Sequence, residues 1–209
     1  PLGGYYSFNE FFMRKMKDEY LNLEDGTLNS PCDGLLTIKA IDENAIFKIK
    51  HCEYSVERLL RNDRLARHYI GGTALIFRLT PAHYHRYNYC TTGRASDTIR
   101  IDGILHCVRP LALEKYPVFT ENSREYIEIN SPELGRVIQM EVGALMVGKI
   151  SNTELSAHDV TANTEKGCFE FGGSTIIVLL DHKVKLKHKF KIRESIDGEI
   201  PVTIGESLC

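Results

Sequence analysis

Glu170-Phe171-Gly172-Gly173-Ser174-Thr175-Ile176-Ile177-Val178-Leu179-Leu180 is the stretch from which the fold is read. Its run at 176–180 is apolar and rich in β-branched residues, which predicts a buried strand, and the glycine pair before Ser174 predicts a turn leading into it. Outward from this strand the same signature recurs. Short β-branched or aromatic runs at 35–41, 45–49, 74–79, 104–108, 126–129, 136–142, 145–150 and 201–204 lie between Gly, Pro, Asn and Asp punctuation and read as strands. Helical spacing is found twice. Ser7 or Asn9 can cap a helix over 7–20, in which Phe8, Phe11, Phe12 and Met16 recur at helical intervals; Val56, Leu59, Leu60 and Leu65 fall near one face of a helix over 55–67. There is no repeat, and no linker is long enough to separate a second domain. The expectation is therefore an α+β fold: one β-rich domain over 1–209, with packed, mostly antiparallel sheets and a few short helices.

Composition narrows the function classes. The 209 residues are 43% hydrophobic and 26% charged, a balance that fits a globular chain and not a disordered one. A formal net charge of −2 gives no general attraction to nucleic acid. One local basic face is predicted, because Lys183, Lys185, Lys187, Lys189 and Lys191 alternate with other residues and a strand there would put all five on one side. That face is either simply solvated or docks on anionic lipid head groups. The apolar side of the first helix has a similar pair of readings, as core or as a membrane-surface element flanked by Arg14, Lys15 and Lys17. Cys32, Cys52, Cys90, Cys107, Cys168 and Cys209 form no C-x-x-C pair, so neither a zinc site nor a disulfide framework is indicated and a reducing interior is expected. The apolar run at 176–180 is far too short to cross a bilayer and no cleavable signal opens the chain. Pro1-Leu2-Gly3-Gly4 reads as a tag remnant or a loop, which leaves room for a native N-terminal anchor.

Several residues carry chemistry. The turn before Ser174 permits positive φ and close approach, so it can present the Gly173 carbonyl to the Ser174 hydroxyl, the geometry of an N-to-O acyl shift. Taken alone, Gly-Gly-Ser-Thr reads first as an ordinary turn into a strand, since such turns are common. Asp33, in Pro31-Cys32-Asp33-Gly34, is by local sequence a turn residue. His83 and His85 lie close together in Pro81-Ala82-His83-Tyr84-His85-Arg86, yet no third ligand stands at a spacing that suggests a metal site. Arg86 and Lys149 are candidates to bind a phosphate or carboxylate, or are surface ion pairs.

Six blocks, in order, change the weight of these readings: Phe8-Asn9-Glu10-Phe11-Phe12-Met13-Arg14-Lys15; Ser30-Pro31-Cys32-Asp33-Gly34; Pro81-Ala82-His83-Tyr84-His85-Arg86; Val108-Arg109-Pro110-Leu111-Ala112-Leu113; Val142-Gly143-Ala144-Leu145-Met146-Val147-Gly148-Lys149-Ile150; and Gly167 through Ser174. Across nearly its whole length the chain resembles the phosphatidylserine decarboxylases, and Glu199-Ile200-Pro201-Val202-Thr203-Ile204-Gly205-Glu206 fits that family's C-terminal strand and turn. The resemblance implies self-cleavage between Gly173 and Ser174, giving a β chain of 1–173 and an α chain of 174–209. Ser174 would become a pyruvoyl group, with no metal and no pyridoxal phosphate required. It further implies that Asp33 orients or charges the base that activates the serine, and that His85 returns a proton to the substrate carbon.

The chain departs from the family pattern at one functional position. Asn88 stands where the family has the histidine proposed as base for self-cleavage, and an amide takes no proton at neutral pH. His83, in place of a family aspartate, is a gained imidazole. If the stretch is extended, His83 and His85 point to the same side and Asn88 away. His83 or His158 would then substitute as base, or processing is slow or absent. Arg86, Lys149 and Asn88 are the substrate-binding candidates. The expected substrate is an amine-bearing carboxylate, phosphatidylserine first, with peripheral contact at the cytoplasmic face of a membrane, no nucleic-acid partner and a homodimeric assembly. Two alternatives stay open: a decarboxylase of a soluble amino acid in the cytoplasm, and an uncleaved, non-catalytic binding protein.

Overall fold

Ser174–Leu180 is buried along its whole length because both of its faces are covered. The computed structural model describes residues 4–17, 21–49, 51–107, 116–144, 149–170, 174–190 and 198–209. In chain order the strands are β1 (Gly34–Ala40), β2 (Ile46–Ile49), β3 (Cys52–Ser55), β4 (Thr73–Leu79), β5 (Arg86–Asn88), β6 (Gly93–Ala95), β7 (Ile99–Ile101), β8 (Arg124–Ser131), β9 (Gly135–Val142), β10 (Ile150–Asn152), β11 (Asp159–Val160), β12 (Glu165–Phe169), β13 (Ser174–Leu180) and β14 (Ile200–Val202). The helices are α1 (Phe8–Phe12), α2 (Val56–Leu60), α3 (Asp63–Ala66) and α4 (Val118–Glu121), with a 3-10 turn at Arg67–Tyr69. The expected β-rich α+β class is what the chain adopts, and every pairing between these strands is antiparallel.

The main sheet runs β11-β6-β8-β9-β13-β4-β1-β14, with β7 also on β8. Alternation along β13 divides its side chains between two cores. Ile177 and Leu179 join Phe47, Tyr54, Leu59, Tyr69 and Phe119, beneath the β2–β3 hairpin and the helices. Ile176, Val178 and Leu180 face the other way, with Tyr87, Tyr89 and Phe169, against a second sheet ordered β10-β12-β5. A strand covered on both faces keeps an unbroken apolar run, and each such side chain contributes about 1.5–3 kcal/mol on burial.

Between the two sheets lies a polar seam. Gln139 and Glu141 of β9 alternate with core residues and so turn toward the second sheet. Lys166 of β12 donates to Glu141 Oε2 and to Asn152 Oδ1, both at 2.7 Å, and Asn152 donates on to Glu125 at 2.8 Å. Gln139 accepts from the Cys90 N–H at 3.0 Å and donates to the Asn88 carbonyl at 2.9 Å. Burial pushes the Glu141 carboxyl above its ordinary range, against the pull of Lys166. The seam fastens the small sheet in one register on the large one.

Several expected elements differ. Of the helix over 7–20 only α1 forms among the described residues, because Arg86 Nε donates to the Met13 carbonyl at 2.9 Å and Met16 N–H turns to the Tyr84 hydroxyl, and 18–20 lie outside the described residues. The helix over 55–67 breaks at Arg61 in the left-handed region (φ 48°), and Asn62 caps α3. The end of α2 is tolerated in the core because Arg124 donates to the Arg58 and Leu59 carbonyls and Tyr126 to that of Leu60. No strand forms at 183–190. Asp181 accepts from the Lys183 N–H through its side chain and from the Val184 N–H through its carbonyl, which bends the chain directly after β13. Lys183, Lys185, Lys187 and Lys189 are exposed there, Lys189 is paired with Glu206, and Lys191 lies outside the described residues. The expected strand at 104–108 is reduced to a bridge from Ile104 to Asn122, with 108 not described. Of 145–150 only 149 and 150 are described, Ile150 as the start of β10.

Lys166→Met, which leaves Glu141 buried without its cation, is expected to lower stability by about 3–5 kcal/mol in urea unfolding, and Lys166→Met/Glu141→Leu to recover most of that loss.

Candidate active site

The candidate residues gather where β4 ends and its two neighbours begin. β4 lies between β1 and β13. Ser174 is the register partner of Leu79, and on the other side Leu35 opposes Arg78, so Asp33 and Gly34 reach the level of Leu79 and Thr80. Two strand spacings, roughly 10 Å, therefore span the Ser174 and Gly34 backbones. A Cβ added at Gly34 would sit 3.1 Å from the Arg78 carbonyl oxygen, so glycine allows β1 to start this close to β4.

Ser174 shares a face with Ile176 and Val178, which directs its side chain between the two sheets. It has no exposed surface, and among the described residues its Oγ has no hydrogen-bond partner. Thr175 Oγ1, on the opposite face, is likewise buried without one. A buried hydroxyl with no partner costs about 1–3 kcal/mol, so among the described residues nothing offsets the burial of this pair. Gly173 lies outside the described residues.

Asp33 is held from the C-terminal turn: its Oδ1 accepts from the Ile204 N–H at 2.8 Å. His83 does not continue an extended strand, contrary to the alternation reading. Its N–H closes a turn on the Thr80 carbonyl, and its Nδ1 accepts from the Thr80 N–H at 2.9 Å. Burial lowers the His83 pKa from 6.5, with Arg78 acting the same way and the nearby Asp33 carboxylate opposing both. His85 is fully buried; its Nδ1 lies 2.8 Å from the His83 carbonyl and its ring centroid 3.9 Å from that of Phe12 on α1. The His85 carbonyl accepts from Phe169 N–H of β12, which places the imidazole at the junction of the small sheet and α1.

The remaining candidates are arranged differently. Arg86 is engaged by Glu165 at 2.6 Å as well as by the Met13 carbonyl. Lys149 pairs with Glu170 at 3.1 Å and keeps 70% of its side chain exposed. Asn88 is buried and donates to the Asn163 carbonyl at 2.8 Å. His158 bonds to the Tyr89 hydroxyl beside β11, which lies at the far edge of the main sheet from β13. A cleft of about 430 Å³ lined by His68, Arg136, Asp181 and Lys183 lies past the far end of β13, well away from Ser174. Sequence reasoning overlooked Thr80 and the Lys166–Glu141 pair. Thr80 was legible only as a residue before proline, and a buried ion pair between distant strands leaves no local pattern.

Similarity to known proteins covers almost the whole chain. The profile of the family described as phosphatidylserine decarboxylase matches residues 8–209. A phosphatidylserine decarboxylase proenzyme of Clostridium tetani is 37% identical over 99% of this chain and 71% of its own length. That of Clostridium novyi is 39% identical, over 97% and 70%. The phosphatidylserine decarboxylase proenzyme 2 of Clostridium acetobutylicum is 42% identical, over 98% and 70%.

In a Ser174→Ala chain, the His83 imidazole is expected to titrate below 6.5 by NMR, with its neutral form protonated at Nε2. Asp33→Asn removes the charge that favours the imidazolium and is expected to lower that midpoint further; an upward move would show that the carboxylate does not act on His83.

Proposed function

The chain belongs to the phosphatidylserine decarboxylase family, and we propose that it converts phosphatidylserine to phosphatidylethanolamine with a pyruvoyl group made from its own Ser174. The observation that carries this reading is the Ser174 hydroxyl, buried without a described partner at the first position of the central strand. Such a hydroxyl is the nucleophile that self-cleavage requires. Attack of Oγ on the Gly173 carbonyl converts that amide to an ester and frees the Ser174 amine. Removal of the Ser174 α-proton then breaks the Cβ–Oγ bond, releasing 1–173 with a carboxylate end and leaving dehydroalanine at the head of 174–209. Addition of water and loss of ammonia give the keto group.

The site fits a group made in this way. It occupies the serine's own volume, between Leu79 and the apolar side chains of the second core, and needs no additional ligand. When formed, the group supplies an electrophilic carbonyl that holds the substrate amine and takes up the electron pair left as carbon dioxide departs. The chain's residues do the rest. His85 returns a proton to the substrate carbon, Asp33 supplies negative charge beside the His83 imidazole, and Lys149, the more exposed of the two cation candidates, receives the lipid phosphate. Arg86 is engaged by Glu165 and Met13, so its role is to hold α1 and β12 in place.

Among the described residues no helix is long and apolar enough to cross a membrane. Contact with the lipid is proposed to be peripheral, through the N-terminal aromatics. Tyr6 is 97% and Phe8 51% exposed, with Arg14, Lys15 and Lys17 nearby, while Phe12 of the same helix packs on His85.

Denaturing mass spectrometry tests the reading. The wild-type chain is expected to release a fragment of 36 residues, 174–209, whose first residue lacks an amine. Ser174→Ala is expected to stay whole and to produce no carbon dioxide from phosphatidylserine vesicles. A wild-type chain that stays intact, or one that consumes free serine and not the lipid, would overturn the proposal.

A further inference from the structure

We infer that His85, and not His83, is the base that takes the Ser174 proton during self-cleavage, so that one imidazole serves both that step and the later protonation of substrate. The inference rests on the proposed self-cleavage and deepens it. It starts from two backbone groups whose hydrogen-bonding sense is fixed. The Thr80 N–H can only donate, and it points at His83 Nδ1 from 2.9 Å. Neutral His83 therefore has its lone pair at Nδ1, already used, and its proton at Nε2. It has no ring nitrogen left to receive another proton without giving up the bond from the Thr80 N–H. The His83 carbonyl can only accept, and His85 Nδ1 lies 2.8 Å from it. Neutral His85 therefore has its proton at Nδ1 and its lone pair at Nε2, the form a general base requires.

The other groups near the site are less suited. Asn88 cannot take a proton and its amide is held by the Asn163 carbonyl. His158 is held by Tyr89 beside β11. Asp33 is tethered to the Ile204 N–H. His85 also lies on the required side. It is two residues before Tyr87, whose side chain is in the second core with Ile176, and Ser174 faces that same interlayer space. Its ring is held between the His83 carbonyl and the Phe12 ring, so the orientation of Nε2 is set by packing. The step balances within these groups. Oγ bonds to the Gly173 carbonyl carbon as His85 Nε2 takes the hydroxyl proton; the C–N bond then breaks as Nε2 returns that proton to the Ser174 nitrogen. His83 is a positioning residue in this scheme, acting through its carbonyl.

Matched substitutions separate the two imidazoles. His83→Asn offers an oxygen to the Thr80 N–H, and His85→Asn offers an amide donor to the His83 carbonyl, so each keeps its backbone bond and loses only the ring. Cleavage is followed by denaturing mass spectrometry, with folding checked by circular dichroism. The expected result is that His83→Asn cleaves within about tenfold of the wild-type rate, while His85→Asn slows by about a hundredfold or more, the usual worth of a general base. His85→Ala should stay whole and regain cleavage when imidazole is added, which a purely structural loss would not do. Near wild-type cleavage by His85→Asn, arrest of a folded His83→Asn chain, or failure of imidazole to rescue a folded His85→Ala chain would overturn the assignment. A wild-type chain that never cleaves would instead remove the self-cleavage reading beneath it.

Discussion

A strand with no solvent on either side has to begin with two hydroxyls, and the architecture is organised around holding them there. Ile176 through Leu180 supply the burial that keeps β13 between β4 and β9. At about 1.5–3 kcal/mol for each apolar side chain, they outweigh the roughly 1–3 kcal/mol that a buried hydroxyl without a partner among the described residues costs. The register that follows is what brings the end of β4 and the starts of β1 and β13 to one level. Without those neighbours Ser174 would sit on an ordinary surface turn, and its hydroxyl would be hydrated and chemically ordinary.

The second sheet matters as much, because it closes the space that Ser174 faces. The Lys166–Glu141 pair and the amides of Gln139 and Asn152 join the layers through oriented bonds. Apolar packing alone would leave their relative register loose. At this site single backbone groups decide on which nitrogen each neutral ring carries its proton. The Thr80 N–H and the His83 carbonyl impose opposite tautomers on two rings only two residues apart. Helix α1 completes the enclosure through Phe12, so the segment bearing the exposed Tyr6 and Phe8 also forms a wall of the site.

What could be read from the residues alone follows the length scale of each signal. The strands at β1, β4, β9 and β13 were legible because each has an apolar run bounded by turn residues. β5, β6, β7 and β11 were missed, being two or three residues long and bearing Arg, Asn, Asp or Gly. The first helix was overestimated because Met16 keeps the helical spacing past Phe12, while Arg86 and Tyr84, some seventy residues away, capture the backbone beyond it. The lysine alternation at 183–191 suggested a strand, but a single aspartate side chain at 181 turns the chain first. Ser174, Asp33 and His85 were identified by family blocks and not by local pattern. The sense of each histidine's hydrogen bonds was invisible until Thr80 had a position.

The placement of β13 in the middle of the main sheet has a thermodynamic corollary. If the bond before Ser174 is broken, the shorter piece contributes an interior strand, β13, and an outer one, β14, and among the described residues each pairs with strands of the longer piece. Melting then ceases to be a unimolecular event and becomes the parting of two polypeptides. The midpoint should rise with protein concentration, and dilution after heating should leave orphaned partners. The precursor can renature by itself, whereas its product inherits a fold that neither half can rebuild alone once they have drifted apart.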